Sequence, residues 1–141
     1  MTNGSRGLVL LVDSKATFRK QAEEAFSAAG FEVVTSANSM DAIHQLGGIE
    51  TLDLLVTRAR MPDGNPSGFG LGWIAKYGRP HLRIMLHTDS DQCLTPMEVA
   101  NAPGRVLSRP AHGRELLEAM GNDFQEGVFE GSAGAARLLR N

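Results

Sequence analysis

The sequence predicts an α/β fold: a doubly wound sheet of five parallel strands in the order 2-1-3-4-5, with helices on both faces. Apolar runs of strand length alternate along the chain with segments whose apolar residues recur every three or four positions. The first run is apolar throughout, which is typical of a strand covered on both faces. Since every connection between strands contains a helix, neighbouring strands must be parallel, and right-handed crossovers leave the doubly wound sheet as the simplest topology.

The first half of the chain contains two units of a strand and a helix. The first helix is followed by Gly30, a residue that readily adopts the left-handed backbone conformation that ends a helix. Asn38 or Ser39 can cap the second helix, where Met40 belongs to the apolar face. In chain order, these predicted elements span residues 7–12 (strand), 14–29 (helix), 31–35 (strand) and 40–46 (helix).

The second half repeats this pattern around a loop of turn-forming residues between Met61 and Gly68. Helix three is predicted from Leu71, Ile74 and Ala75, which share one face. The other predicted elements are strands over 52–57, 82–88 and 106–108, a fourth helix over about 95–101, and a last helix that opens at Arg109-Pro110 and buries Leu116, Leu117 and Met120.

Length and composition indicate one domain with short ends. The chain has 141 residues and a formal net charge of −2, so it lacks the clustered cations of a dedicated nucleic-acid binder. A single cysteine, Cys93, excludes an internal disulfide, and no apolar run approaches the roughly 18 residues of a membrane span. We expect a cytoplasmic protein without direct contact to nucleic acid or membrane. Residues 1–6 would be a leader, 7–120 the domain, and 121–141 a tail that is either flexible or a short docking segment.

In a doubly wound sheet the functional site lies beyond the carboxyl ends of the strands. Because these ends lie side by side, the polar residues that follow the strands are expected to meet in one pocket. These residues are Asp13, Ser14, Arg58, Thr88 and Arg109.

Four sequence blocks around the pocket resemble the receiver domains of bacterial response regulators, the CheY-like family. The blocks are Val12–Ser14, Asp53–Asp63, Ile84–Thr88 and Val106–Pro110, within a match over about residues 7–120. The resemblance implies a flavodoxin-like, CheY-like fold and a role in two-component, phosphorelay signal transduction. In that family an aspartate at the end of strand three accepts a phosphoryl group, and two acids after strand one hold Mg²⁺.

The sequence departs from the family pattern at the residues that carry phosphotransfer. The acceptor position, three residues before a Met-Pro pair, is Arg58, and a guanidinium cannot form an acyl phosphate. Of the two metal-binding acids only Asp13 is kept, since Ser14 takes the second position. Thr88 keeps the family's hydroxyl, whereas Arg109 replaces its lysine. The resemblance therefore implies a degenerate pocket, that of a pseudo-receiver.

The charges of this pocket predict an ion pair in place of a metal. One acid, Asp13, faces Arg58 and Arg109, so a divalent cation would be repelled. Mg²⁺ binding is expected to be lost or very weak, with Asp13 the only residual candidate for a metal ligand. We expect Arg58 to pair with Asp13 and to hold the pocket in one conformation, without a cofactor and without enzymatic activity.

Several residues leave alternatives open. Arg58 and Arg109 could form an anion site. Asp53 and Asp63 could be considered as substitute acceptors, although Asp53 begins strand three at the opposite end and Asp63 lies in the following loop. His87 is predicted to be an ordinary half-buried histidine, and the chain's histidines lack the spacing of a zinc site.

The resemblance also indicates how the protein would act. The family signals through the face formed by helix four, strand five and helix five, here about Pro96–Met120. A histidine kinase or an output protein would bind there, and the chain would be an atypical single-domain response regulator that works by protein-protein interaction without phosphorylation. The alternative is a small flavodoxin-like protein that binds a nucleotide or anion in the same crevice through Ser14 and Thr17. Trp73 and Tyr77 lie on helix three, away from loops that could hold a flavin.

Overall fold

The computed structural model describes residues 5–61, 66–88, 94–108, 110 and 112–125, of which 121–125 are described by their backbone only. Its strands are β1 (Leu8–Val12), β2 (Glu32–Ser36), β3 (Leu54–Arg58), β4 (Arg83–Thr88) and β5 (Arg105–Ser108). Its helices are α1 (Ala16–Ala28), α2 (Ser39–Leu46), α3 (Gly68–Lys76), α4 (Pro96–Ala100) and α5 (Arg114–Gln125). No helix in these ranges is long and apolar enough to cross a membrane.

The strands form one parallel sheet in the order β2-β1-β3-β4-β5, which confirms the predicted fold class. Side chains alternate between the two faces of the sheet, so each face builds its own core. Toward α1 and α5 the core includes Val9, Leu11, Phe26, Leu54, Met85 and Leu116. Toward α2 and α3 it includes Leu10, Leu55, Leu71, Ala75 and Leu86.

Short polar side chains cap the N-termini of three of the helices. Asn38 caps α2, and its Oδ1 accepts a hydrogen bond from the Asp41 amide at 2.8 Å. The hydroxyl of Ser67 accepts a hydrogen bond from the amide of Gly70 at the start of α3. Thr95 and Glu98 form a reciprocal capping box on α4. These local hydrogen bonds satisfy amides that have no partner within the helix, which is why such residues mark helix starts in the sequence.

The last helix begins later than the sequence predicts. The prediction opened it at Arg109-Pro110, but α5 starts at Arg114. His112 caps it, since its Nδ1 accepts a hydrogen bond from the amide of Arg114 at 3.0 Å. The preceding Gly113 packs against α1 so closely that a Cβ there would lie 2.5 Å from the amide nitrogen of Ala22. This packing, which is not visible in the local sequence, sets where α5 starts.

The end of α5 and the burial of its face also differ from the prediction. The helix continues to Gln125, so the first residues assigned to the tail are helical. Leu116 and Met120 are buried as predicted, whereas Leu117 is only partly buried. The tail residues 126–141 lie outside the described part of the chain.

Two apolar residues predicted on inner helix faces are exposed. Met40 of α2 is 61% exposed, and Ile74 of α3 is 45% exposed. The inward arc of α2 consists of Ser39, Ala42 and Leu46. That of α3 consists of Gly68, Leu71, Gly72 and Ala75. Met40 and Ile74 lie outside these arcs because successive side chains are rotated by about 100° around a helix.

Candidate functional site

Three polar side chains occupy one row at the carboxyl ends of β1, β3 and β4. We call Asp13, Arg58 and His87 the polar rung. Arg58 stands opposite His87 in the register of β3 and β4. Asp13 follows Val12, whose partner on β3 is Thr57, so Asp13 also stands opposite Arg58. All three rung residues are buried, and they close the end of the core that lies under α1 and α5.

The ion pair predicted between Arg58 and Asp13 is present. Nε of Arg58 donates a hydrogen bond to Oδ1 of Asp13 at 3.1 Å, and Nη2 donates to Oδ1 at 3.0 Å and to Oδ2 at 3.2 Å. Both side chains are almost completely removed from solvent. Asp13 therefore engages the edge of the guanidinium formed by Nε and Nη2. The alternative anion site also involves Arg109, which lies outside the described residues, so it stays a prediction.

His87 belongs to this cluster, contrary to the prediction of an ordinary half-buried residue. It is 1% exposed, and its Nε2 lies 3.3 Å from Oδ2 of Asp13 without the alignment of a hydrogen bond. Its ring stacks on that of Phe18 in α1, with the centroids 5.0 Å apart, and the guanidinium carbon of Arg58 lies 5.8 Å from the same Phe18 centroid. The alternation that buries Met85 two residues earlier was the sequence signal for this burial.

Asp13 also fixes the start of α1. Its Oδ1 accepts a hydrogen bond from the amide of Lys15 at 2.8 Å, and its backbone carbonyl accepts one from Nη1 of Arg19 at 2.7 Å. One carboxylate thus joins the sheet, the first helix and the buried guanidinium. Both of its oxygens accept hydrogen bonds from Arg58.

The surroundings of Asp13 change its acidity. Burial raises the pKa of the Asp13 carboxyl, but the neighbouring His87 imidazole, the amide of Lys15 and the charge of Arg58 lower it by more. The pKa therefore lies below the ordinary value of an aspartate. A carboxyl whose pKa is depressed in the folded state stabilises the fold above its unfolded pKa of about 3.9.

We expect this contribution to be lost as the pH falls below about 4, through the lower pKa that Asp13 has in the folded state. Urea denaturation between pH 7 and pH 2.5 would show a steeper acid loss of unfolding free energy in the native chain than in Asp13→Asn. Asp41→Asn, on the exposed side of α2, is the matched control and should keep the native slope. An Asp13→Asn chain with the same acid slope as the native chain would contradict this assignment.

The other predicted site residues are placed as follows. Ser14 is partly buried beside Asp13, and Thr88 is buried at the end of β4. Asp53 lies at the opposite end of the sheet, where its Oδ2 accepts a hydrogen bond from the Leu8 amide at 2.8 Å, a structural role. Three residues singled out in the sequence lie outside the described part of the chain: Asp63, Cys93 and Arg109.

Two observations describe the groups that the pocket presents. Among the described residues, no three histidine, cysteine or acidic side chains are arranged to hold a metal ion. The residue at the end of β3 is a cation whose nitrogens cannot take the place of a carboxylate nucleophile. What the polar rung can do chemically is to hold the ends of three strands and the start of α1 together.

Comparison with known proteins identifies the fold. No family model and no curated protein matches the sequence. Among solved structures, a response regulator receiver protein of Sinorhizobium medicae is 23% identical, with 82% of this chain and 92% of that one covered and a TM-score of 0.69. A CheY-like receiver domain of Methanospirillum hungatei is 20% identical, with 86% and 96% covered and a TM-score of 0.71.

A third similar structure contains ligands. The response regulator TrrA of Thermotoga maritima, solved in complex with Mg²⁺ and BeF, is 20% identical, with 82% of this chain and 97% of that one covered and a TM-score of 0.67. The chain therefore has the fold of response regulator receiver domains.

Proposed function

We propose that the protein is an atypical single-domain response regulator that acts in two-component-type signalling by protein-protein interaction, independently of phosphorylation. The buried Arg58–Asp13 ion pair carries this proposal. It occupies the place where the resemblance to receiver domains puts the phospho-acceptor and a metal-binding acid. The receiver fold of the chain and its similarity to solved response regulators support the signalling role.

The electrostatics of the polar rung support the absence of a cofactor and of enzymatic activity. Asp13 is compensated by Arg58 at 3.0 Å, so Mg²⁺ would have to displace a buried cation before it reached the carboxylate. Separating such a pair leaves an uncompensated charge in a low-dielectric environment. The pocket therefore stays in one state, and signals arrive through the binding or the abundance of a partner.

The proposed partner surface is the face of α4, β5 and α5, between about Pro96 and Met120. Met97 and Val99 support this choice because both are apolar residues of α4 that point into solvent. A histidine kinase or an output protein of the same pathway is the expected partner. The proposed site of action is the cytoplasm.

Phosphorylation chemistry tests the proposal directly. The native chain is incubated with acetyl phosphate and Mg²⁺, and acid-labile phosphate is measured by intact-protein mass spectrometry. In parallel, Mg²⁺ with beryllofluoride is titrated while the melting temperature is recorded. We expect no added phosphoryl mass and no change in melting temperature, because Arg58 offers no carboxylate and Asp13 is already paired.

The Thermotoga maritima protein is the positive control, since its structure was solved with Mg²⁺ and BeF. Stoichiometric, Mg²⁺-dependent and acid-labile labelling of the native chain would refute phosphorylation independence. Stabilisation by beryllofluoride that requires Mg²⁺ would refute it as well.

A further inference from the structure

Helix α4 is attached to the domain in an unusual way. None of its five residues, Pro96–Ala100, is buried. Its large apolar side chains face solvent, with Met97 71% and Val99 47% exposed. The least exposed class of side chain in the helix, of intermediate burial, is represented by a charged residue, Glu98. A surface helix normally turns its apolar side toward the core, so the orientation of α4 is the reverse of the common one.

Among the described residues, an ion pair links α4 to the end of β3, while Leu94 and Ala102 on either side of the helix pack against the core. Nη2 of Arg60, just after β3, donates hydrogen bonds to Oε1 and Oε2 of Glu98 at 2.8 and 3.1 Å. The same carboxylate accepts a hydrogen bond from the Thr95 amide at 2.9 Å and so closes the capping box of α4. Glu98 therefore holds the helix together and also ties it to the sheet.

Arg60 is joined to the polar rung through the backbone at the end of β3. It lies two residues beyond Arg58, and both backbone polar groups of the intervening Ala59 form hydrogen bonds. The amide of Ala59 donates a hydrogen bond to the carbonyl of His87 at 2.8 Å, and its carbonyl accepts one from the amide of Gly68 at 2.9 Å. The end of β3 thus presents one arginine inward to Asp13 and a second one outward to α4.

We infer that α4 is a releasable flap, held closed by the Arg60–Glu98 ion pair, which opens locally when that pair is broken while the sheet remains folded. This inference concerns α4 alone and goes beyond the proposed function. A helix without buried side chains has little hydrophobic free energy to keep it docked, so its opening requires only a small part of the global unfolding free energy.

The Arg60–Glu98 ion pair is weak enough to be broken while the domain stays folded. Both partners are partly exposed, and ion pairs at exposed positions are weak and weaken further with salt. The pKa of Glu98 lies below its ordinary value, chiefly because the carboxylate accepts the hydrogen bond of the Thr95 amide and also because the Arg60 charge is adjacent. The carboxylate is therefore ionised at neutral pH, and salt is the condition that should release the flap.

Hydrogen exchange measured by mass spectrometry tests the flap in the full chain. The α4 amides of Val99 and Asn101, which donate to Thr95 and Met97, report its closure. For both Arg60→Gln and Glu98→Gln at low salt, we expect exchange of the α4 peptide to become about two- to fivefold faster. Exchange in β3 and β4 should not change. Raising the salt from about 0.05 to about 0.5 M should accelerate the native α4 peptide and reduce its difference from the variants.

The choice of variants allows faster exchange of α4 to be assigned to the loss of the Arg60–Glu98 ion pair. A glutamine side chain retains an oxygen for the Thr95 amide, so Glu98→Gln removes the charge and leaves the cap. Arg60 has a further interaction, so only an effect shared by both variants is assigned to the pair. Arg114→Gln breaks a more exposed ion pair with Glu118 inside α5 and should leave α4 unchanged.

Two outcomes would overturn the inference. In the first, α4 exchanges at the native rate in both variants, which means that the ion pair does not hold it. In the second, α4 and the sheet peptides accelerate together, which means that α4 opens only through global unfolding. Neither outcome depends on phosphate labelling, so the flap and the proposed function can fail separately.

Discussion

Replacing Arg58 by leucine is expected to lower the free energy of unfolding by about 3–5 kcal/mol. The substitution leaves the Asp13 carboxylate buried without its cationic partner, and the Lys15 amide and the misaligned His87 do not replace that charge. A buried charge without compensation costs several kcal/mol, which is a large part of the stability of a domain this size. Urea denaturation at pH 7, monitored by circular dichroism, measures the loss.

The double variant Asp13→Asn/Arg58→Leu separates the charge from the packing. Asparagine keeps an oxygen for the Lys15 amide but carries no charge, so the double variant should recover at least half of the loss seen in Arg58→Leu. Arg114→Leu, at an exposed position of α5, is a matched control that should change stability by less than about 0.5 kcal/mol. If the double variant were as unstable as the sum of both single variants, the ion-pair explanation would be wrong.

Replacing Gly104 by alanine is expected to destabilise the domain by about 3 kcal/mol, near the upper end of ordinary overpacking. A Cβ at this position would lie 2.1 Å from the carbonyl oxygen of Ile84 and 2.7 Å from its carbonyl carbon. These atoms belong to the backbone of β4, so the clash cannot be relieved by a rotamer change. The segment that leads into β5 would have to move away from the sheet.

A second glycine substitution provides the control. At Gly48, after α2, a Cβ would lie 3.8 Å from the carbonyl oxygen of Gln45, an ordinary van der Waals distance. Gly48→Ala should therefore leave stability within about 0.5 kcal/mol of the native chain. Thermal and urea unfolding of both variants give the comparison. Equal losses of unfolding free energy in Gly48→Ala and Gly104→Ala would show that the close approach of Gly104 to Ile84 does not determine stability.

Local patterns in the sequence were sufficient to predict most of the fold. The apolar run of β1 and the cap at Asn38 depend on neighbouring residues only, and both are present in the structure. The start of α5 could not be predicted in this way. It depends on the contact of Gly113 with α1, where the hydrogen bond from the Gly113 amide to Gln21 joins residues 92 positions apart.

The candidate site was predicted in part. The position of Arg58 after a buried strand, with Asp13 after the neighbouring one, was enough to predict their ion pair because parallel strands end at the same edge of a sheet. The place of His87 in the cluster was missed. The alternation along β4 could have indicated its burial, but its position opposite Arg58 follows from the register, which is a property of two paired strands.

The sequence by itself determined the order of strands and helices and the residues that follow each strand, because hydrophobic period and turn chemistry act over a few neighbouring positions. Only the tertiary structure decided that His87 lies beside Asp13 and Arg58, and that α4 turns Glu98 inward and Met97 outward. The pair between Arg60 and Glu98 joins residues 38 positions apart. It exists because the folded sheet brings the end of β3 next to α4. A pattern of neighbouring residues in the sequence cannot predict this proximity.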